Sequence, residues 1–241
     1  MSATDQLAQH PILVADDEQF SRSIIARMLR DLGCPEAHQA ADGKEALDLL
    51  GKHARKIPLA ILDFNMPEIN GLQLLKMIRT GTAGVPNNLL VVMLTGSADQ
   101  GLVGAALSLD VDAFLIKPVS KAMLSTRLQK VLAENNETKS IRAYQDVDID
   151  AICRGLLGRK PVGQPLAPPK TLGPKQHGMR LKLEDVAEGS ILAEDIRGPD
   201  NELLLGVGCM LSARYLRRLK ELGSVINTEY ITVHPPRKKP N

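Results

Sequence analysis

The chain has 241 residues, 44% of them apolar and 24% charged, a globular balance that excludes disorder throughout. With three Phe, three Tyr and no Trp it lacks the rings of a base-stacking nucleic-acid platform, and a net charge of +2 is too small for a whole-chain polyanion binder. The charge is uneven: residues 1–134 carry 13 Lys and Arg against 15 Asp and Glu, and residues 135–241 carry 17 against 13. An acidic first part and a mildly basic second part fit two units with different tasks.

Cys34, Cys153 and Cys209 are far apart and form no CxxC pair, so neither a disulfide framework nor a zinc site is expected. MSATDQLAQH has no basic stretch followed by an apolar core and does not read as a signal peptide. The longest purely apolar run, Leu89 to Leu94, falls far short of the ~20 residues that span a bilayer. A cytoplasmic location is expected.

In chain order, Ile12 to Ala15 is an apolar strand run ending in acids. Ser21 to Asp31 sets Ile24, Ile25, Met28 and Leu32 on one helical face, and Gly33 stops it. A second helix is predicted from Gly43 to Lys52, then a strand from Leu59 to Leu62, then a loop with Pro67 and Gly71. Leu72 to Arg79 is helical, Leu89 to Leu94 a strand, Gln100 to Leu109 a helix, Ala113 to Ile116 a strand and Lys121 to Ala133 a helix. Apolar strand runs alternating with five helices predict a doubly wound α/β domain with a five-stranded parallel sheet. In such sheets the chemistry lies beyond the carboxyl ends of the strands.

At those ends stand Asp16 and Asp17, Asp63, Thr95, and Lys117 followed by Pro118. Carboxylates gathered at one edge repel one another, and burying them unpaired is costly. A divalent cation and the Lys117 ammonium resolve the conflict, and Mg²⁺, a hard oxygen-seeking ion, suits the donor set. Such a pocket binds a phosphoryl group: one carboxylate attacks phosphorus while cation, hydroxyl and ammonium take up charge. A lone Asp-Asp pair is ordinarily a solvated turn, and a lone Lys-Pro a loop. Their succession at consecutive strand ends is what carries the reading.

VADDEQ, LDFNMPEINGL, MLTGSAD and FLIKP, in this order and spacing, resemble the receiver domain of bacterial two-component response regulators. The resemblance spans about residues 10–134 and implies the receiver, flavodoxin-like fold. It implies Asp63 as phosphoacceptor, and as metal ligands Asp17, Asp63, the backbone carbonyl of Asn65, and Asp16 through water. It implies Thr95 as hydroxyl donor to a phosphoryl oxygen, Lys117 as the ion pair across the pocket, and Phe114 as the switch aromatic. It further implies that the chain is not an enzyme in the ordinary sense, promoting only its own phosphorylation. The donor would be a sensor histidine kinase or phosphotransfer protein, and the output a change of protein contacts. A homodimer is compatible with this reading, and no membrane partner is expected.

Residues 135–178 are expected to form a linker, and from Gly158 on they hold five Pro and four Gly in 21 positions. Residues 179–233 are expected as a small β-rich α+β unit. Its strands are predicted over Ile191–Ile196, Leu203–Leu205, Cys209–Leu211 and Val225–Val233, around a Gly198–Asn201 turn. Its one helix, capped by Ser212, carries Leu216, Leu219 and Leu222. This segment resembles a module found beside HD-type signalling domains, which implies a downstream signalling partner. Residues 234–241 read as a disordered basic tail. A nucleic-acid-binding transcriptional regulator using the basic C-terminal half is the alternative. Nucleic acid is disfavoured as a partner because no two-helix DNA-reading unit is present.

Overall fold

The computed structural model describes residues 10–53, 56–96, 100–133, 138, 141–147, 149, 178–197, 203–221 and 229–236. The chain forms two compact units.

Up to Gln145 the chain alternates strand and helix: β1 (Ile12–Ala15), α1 (Gln19–Asp31), β2 (Ala37–Ala40), α2 (Gly43–Lys52), β3 (Leu59–Asp63), α3 (Gly71–Arg79), β4 (Leu90–Thr95), α4 (Gln100–Ser108), β5 (Ala113–Ile116), α5 (Lys121–Ala133) and the short α6 (Ile141–Gln145). Of these, all but α4 lie in the first unit. All neighbouring strands pair in parallel, in the order β2-β1-β3-β4-β5. The doubly wound α/β sheet read from the apolar runs is therefore the fold. β1 and β3 are buried along their whole length, as expected for central parallel strands covered on both faces. The edge strand β2, Ala-His-Gln-Ala, has no apolar run to announce it.

Side-chain alternation along the strands divides the core into two layers. Ile12, Val14, Leu59, Ile61, Val92 and Leu94 meet Ile25 and Leu29 of α1 and Leu124, Leu128 and Val131 of α5. Each such fully buried aliphatic side chain contributes about 1.5–3 kcal/mol. Leu13, Ala15, Ala60 and Leu62 point to the opposite face, where α2 and α3 pack. α3 starts at a capping box: Asn70 Oδ1 accepts from the Gln73 N–H at 2.9 Å, and Gln73 Oε1 accepts from the Asn70 N–H at 3.0 Å.

Within the span expected as a linker, Ile141–Gln145 form the short helix α6. α6 packs on α3, and both belong to the same compact unit. Tyr144 is fully buried and donates its hydroxyl to Asp110 Oδ2 at 2.9 Å. Lys76 Nζ donates to the Val147 carbonyl at 2.7 Å. Among the described residues, buried Tyr144 and Ile149 and these side-chain bonds hold a segment whose composition is that of a linker. The Pro-rich part of the expected linker lies outside the described residues.

The second unit, in which residues 100–107 of α4 are also grouped, has β6 (Met179–Lys182), β7 (Ser190–Leu192), β8 (Ile196–Arg197), β9 (Leu203–Leu205), β10 (Met210–Leu211), α7 (Ala213–Glu221) and β11 (Tyr230–His234). A four-stranded sheet runs β10-β7-β11-β6, and β8 and β9 form a separate antiparallel pair. The strand predicted over Ile191–Ile196 is therefore two, broken at Ala193–Asp195, where Asp195 Oδ1 accepts from the Val207 N–H. β6 adds a strand that Met-Arg-Leu-Lys does not announce, and the last strand is described only from Tyr230. Its end at His234 takes in the first residue of the expected tail. Ser212 Oγ accepts from the Tyr215 N–H, and Leu216 and Leu219 are buried. Gly208, at φ +86°, turns the chain between β9 and β10, a conformation that side chains resist. The predicted Gly198–Asn201 turn, Leu222 and residues 237–241 of the tail lie outside the described residues.

Candidate functional site

β1 and β3 lie side by side where the strand order reverses, and both end in aspartates. This is where open α/β sheets place their ligands. One carboxylate oxygen each of Asp16, Asp17 and Asp63 lies within 4.8 Å of the others. Asp16 and Asp63 are buried and Asp17 is exposed, so the cluster opens to solvent on one side.

Lys117, just past β5, reaches across the sheet edge and bridges the two buried carboxylates. Its Nζ lies 3.0 Å from Asp16 Oδ2 and 2.9 Å from Asp63 Oδ1. Burial pulls its pKa down, but hydrogen bonds and charge from Asp63, then Asp16, outweigh that and hold it above the usual 10.5. The Lys117–Pro118 peptide is cis. Three carboxylates, two of them bonded to the Lys117 ammonium, leave an excess of negative charge even with the Arg22 guanidinium close by.

Thr95 ends β4 and is buried, its hydroxyl donating to the Gly96 carbonyl at 3.2 Å. Asn65 is exposed in the loop after β3. Phe114 is buried in β5, its ring centroid 6.5 Å from that of Phe64, the residue following Asp63. The structure thus gathers Asp16, Asp17, Asp63 and Lys117 into direct proximity, with Thr95 and Asn65 at neighbouring strand ends. Phe114 is buried within the sheet, and no bond from it to the carboxylates is seen among the described residues.

Two side chains at this site carry no sequence signal of their own. Ser21 Oγ donates to Asp16 Oδ2 at 2.8 Å, and Arg22 Nη1 donates to the Asp16 carbonyl at 2.6 Å. Both sit on the first turn of α1, five and six residues past Asp16. Their position on the face toward the strand end is the only cue.

The family described as response regulator receiver domain matches residues 12–129. A chemotaxis protein CheY homologue of Campylobacter jejuni is 35% identical over 121 residues, covering 50% of this chain and 91% of the relative. Chemotaxis protein CheY of Pseudomonas aeruginosa is 31% identical over 125 residues, covering 52% and 98%. Among solved structures, a response regulator receiver domain protein from Clostridium thermocellum aligns with a TM-score of 0.46 at 28% identity, covering 51% of this chain and 94% of that one. With strand order, acidic cluster and bridging lysine alike in place, the chain belongs to the response regulator receiver domain family, the phosphoryl acceptors of two-component signalling.

Proposed function

We propose that Asp63 is the residue that accepts the phosphoryl group, from a histidine kinase or phosphotransfer protein. The observation that carries this is the Lys117 bridge: a cation already bonded to Asp63 Oδ1 at the open end of β3, beside the exposed carboxylate of Asp17. An Asp63 oxygen bonds to phosphorus as the donor's P–N bond breaks, and the imidazole departs with its electron pair. Lys117 follows the charge onto the phosphoryl oxygens, and the Thr95 hydroxyl turns from Gly96 to donate to one of them. Strand β5 moves with Lys117, and Phe114 with it.

The donor set fits Mg²⁺: hard carboxylate oxygens with an excess of negative charge, open to water through Asp17. Asp17, Asp63 and the Asn65 carbonyl would hold it, with Asp16 behind them, and the ion would supply positive charge to the phosphoryl oxygens. The chain's chemistry is limited to its own phosphorylation, in the cytoplasm where such donors work.

The receiver unit extends to Ile149, and the second unit, residues 178–236, carries the output by protein contacts. Among the described residues no helix is long and apolar enough to cross a membrane.

The test is incubation of the full chain with acetyl phosphate and Mg²⁺, read by intact mass and acid lability. One phosphoryl group should appear on the wild type and none on Asp63→Asn. Undiminished acid-labile phosphate on the variant would overturn the assignment.

A further inference from the structure

The hydrogen bonds around Asp16 assign a task to Ser21, resting on the reading of the pocket as a cation site. Asp16 has no exposed surface, and its own chain already engages both carboxylate oxygens. Oδ1 accepts from the Glu18 N–H at 2.9 Å. Oδ2 accepts from Ser21 Oγ at 2.8 Å and from Lys117 Nζ at 3.0 Å. A carboxylate oxygen offers about two acceptor positions, so Oδ2 is saturated. We propose that Ser21 is a positioning residue that keeps Asp16 a partner of Lys117 and withholds its Oδ2 from the divalent cation, thereby setting the cation affinity of the phosphoryl-accepting pocket.

The physical argument is a competition. The pocket has two arrangements, one bridged by Lys117 and one holding a cation. A hydroxyl donating to Oδ2 lowers the charge density on that oxygen and fills the position that a cation or its bound water would use. Ser21 sits on α1, an element separate from β5, which Lys117 follows, so it stays in place whether or not the lysine moves. Removing it costs the lysine-bridged state a charge-assisted hydrogen bond. The cation-bound state can refill the vacated position with water or metal. The difference between the two states is what changes.

Ser21→Ala should therefore bind Mg²⁺ more tightly than the wild type, by roughly five-fold for the loss of one net hydrogen bond of about 1 kcal/mol. Its melting temperature without Mg²⁺ should fall, and the rise on adding Mg²⁺ should exceed that of the wild type. Ser21→Thr, which keeps the hydroxyl, should restore wild-type affinity. Alanine is the better helix former, so α1 is retained in the variant. The measurement is calorimetric titration and thermal unfolding of the full chain with MgCl₂ alone, without phosphoryl donor. Equal or weaker Mg²⁺ affinity in Ser21→Ala would overturn the proposal, because a merely structural hydroxyl lowers stability alike with and without the ion. Mg²⁺ binding absent from the wild type, or unaffected by Asp17→Asn, would instead overturn the cation-site reading beneath it.

Discussion

Gly71, the first residue of α3, lies so close to Asp63 that a methyl group on its α-carbon would collide with the Asp63 carbonyl oxygen. The Gly71 N–H also donates to the Phe64 carbonyl at 3.2 Å. The start of α3 is thereby pressed onto the end of β3, at Asp63. Backbone on backbone cannot yield by rotating a side chain, so Gly71→Ala must displace α3 or the strand end. The expected cost is about 1–3 kcal/mol. A displaced Asp63 should also slow phosphorylation by acetyl phosphate, by about ten-fold or more. Thermal unfolding and phosphorylation rate check both, and an alanine variant unchanged in either would show that the contact is slack.

Lys117 gives the pocket a pH signature. Its pKa is raised in the folded state by Asp63 and Asp16 against the opposing effect of burial. A raised folded pKa means that the stabilisation is fully present below the ordinary 10.5 and is lost as pH climbs through the raised value. The gap in urea stability between wild type and Lys117→Gln should be wide at pH 7 and narrow above about pH 10.5. Mg²⁺ should narrow it at pH 7, since the ion compensates the carboxylates that the lysine leaves. A gap independent of pH would mean that Lys117 acts through packing.

The acidic pocket was legible because β1, β3 and β4 are short apolar runs that end in, or run directly into, polar residues, so each strand end marks itself. Where burial is shared with polarity, that signal fails. β2 is an edge strand of Ala, His and Gln and carries none. Ser21 and Arg22 read as ordinary helix residues, since their roles depend on where the first turn of α1 faces. Residues 141–147 look like a solvated linker because the sequence there shows one large apolar ring, Tyr144, among polar neighbours. Arg79 is the furthest from expectation: an arginine at a helix end reads as exposed, and here it is fully buried.

That arginine makes a further prediction. Its Nε donates to the Leu109 carbonyl, Nη1 to the Asn87 and Leu89 carbonyls, and Nη2 to the Asp110 carbonyl and Asp112 Oδ2. All five guanidinium donors are thus engaged. Asp112 Oδ2 also accepts from the Val91 N–H at 2.7 Å, so the pair ties α3 to the start of β4 and the approach to β5. Asp112→Ala leaves a buried cation without its counterion and should cost about 3–5 kcal/mol. Arg79→Lys should also destabilise, because a single ammonium cannot reach five acceptors in a fixed fork. Chemical denaturation of the receiver unit measures both; a lysine variant of wild-type stability would refute the geometric argument.

Tyr144 tests whether residues 141–149 belong to the receiver. Its ring is buried and its hydroxyl donates to Asp110, a residue in the left-handed region at φ 51° whose carbonyl accepts from Arg79. The segment is thus fastened to the same buried network that joins α3 to β4. Tyr144→Phe keeps the ring and removes one donor from a buried carboxylate, an expected loss of about 1–3 kcal/mol. Tyr144→Ala removes the ring as well and should cost about 3–5 kcal/mol, as for large aromatic deletions from cores. If the segment were a passive linker, both substitutions would leave the receiver's unfolding unchanged. Hydrogen exchange separates the alternatives locally: amides of α3 and of residues 141–147 should lose protection together in Tyr144→Ala. Exchange that speeds up in residues 141–147 while α3 stays at wild-type protection would show that the segment rides on the receiver without supporting it.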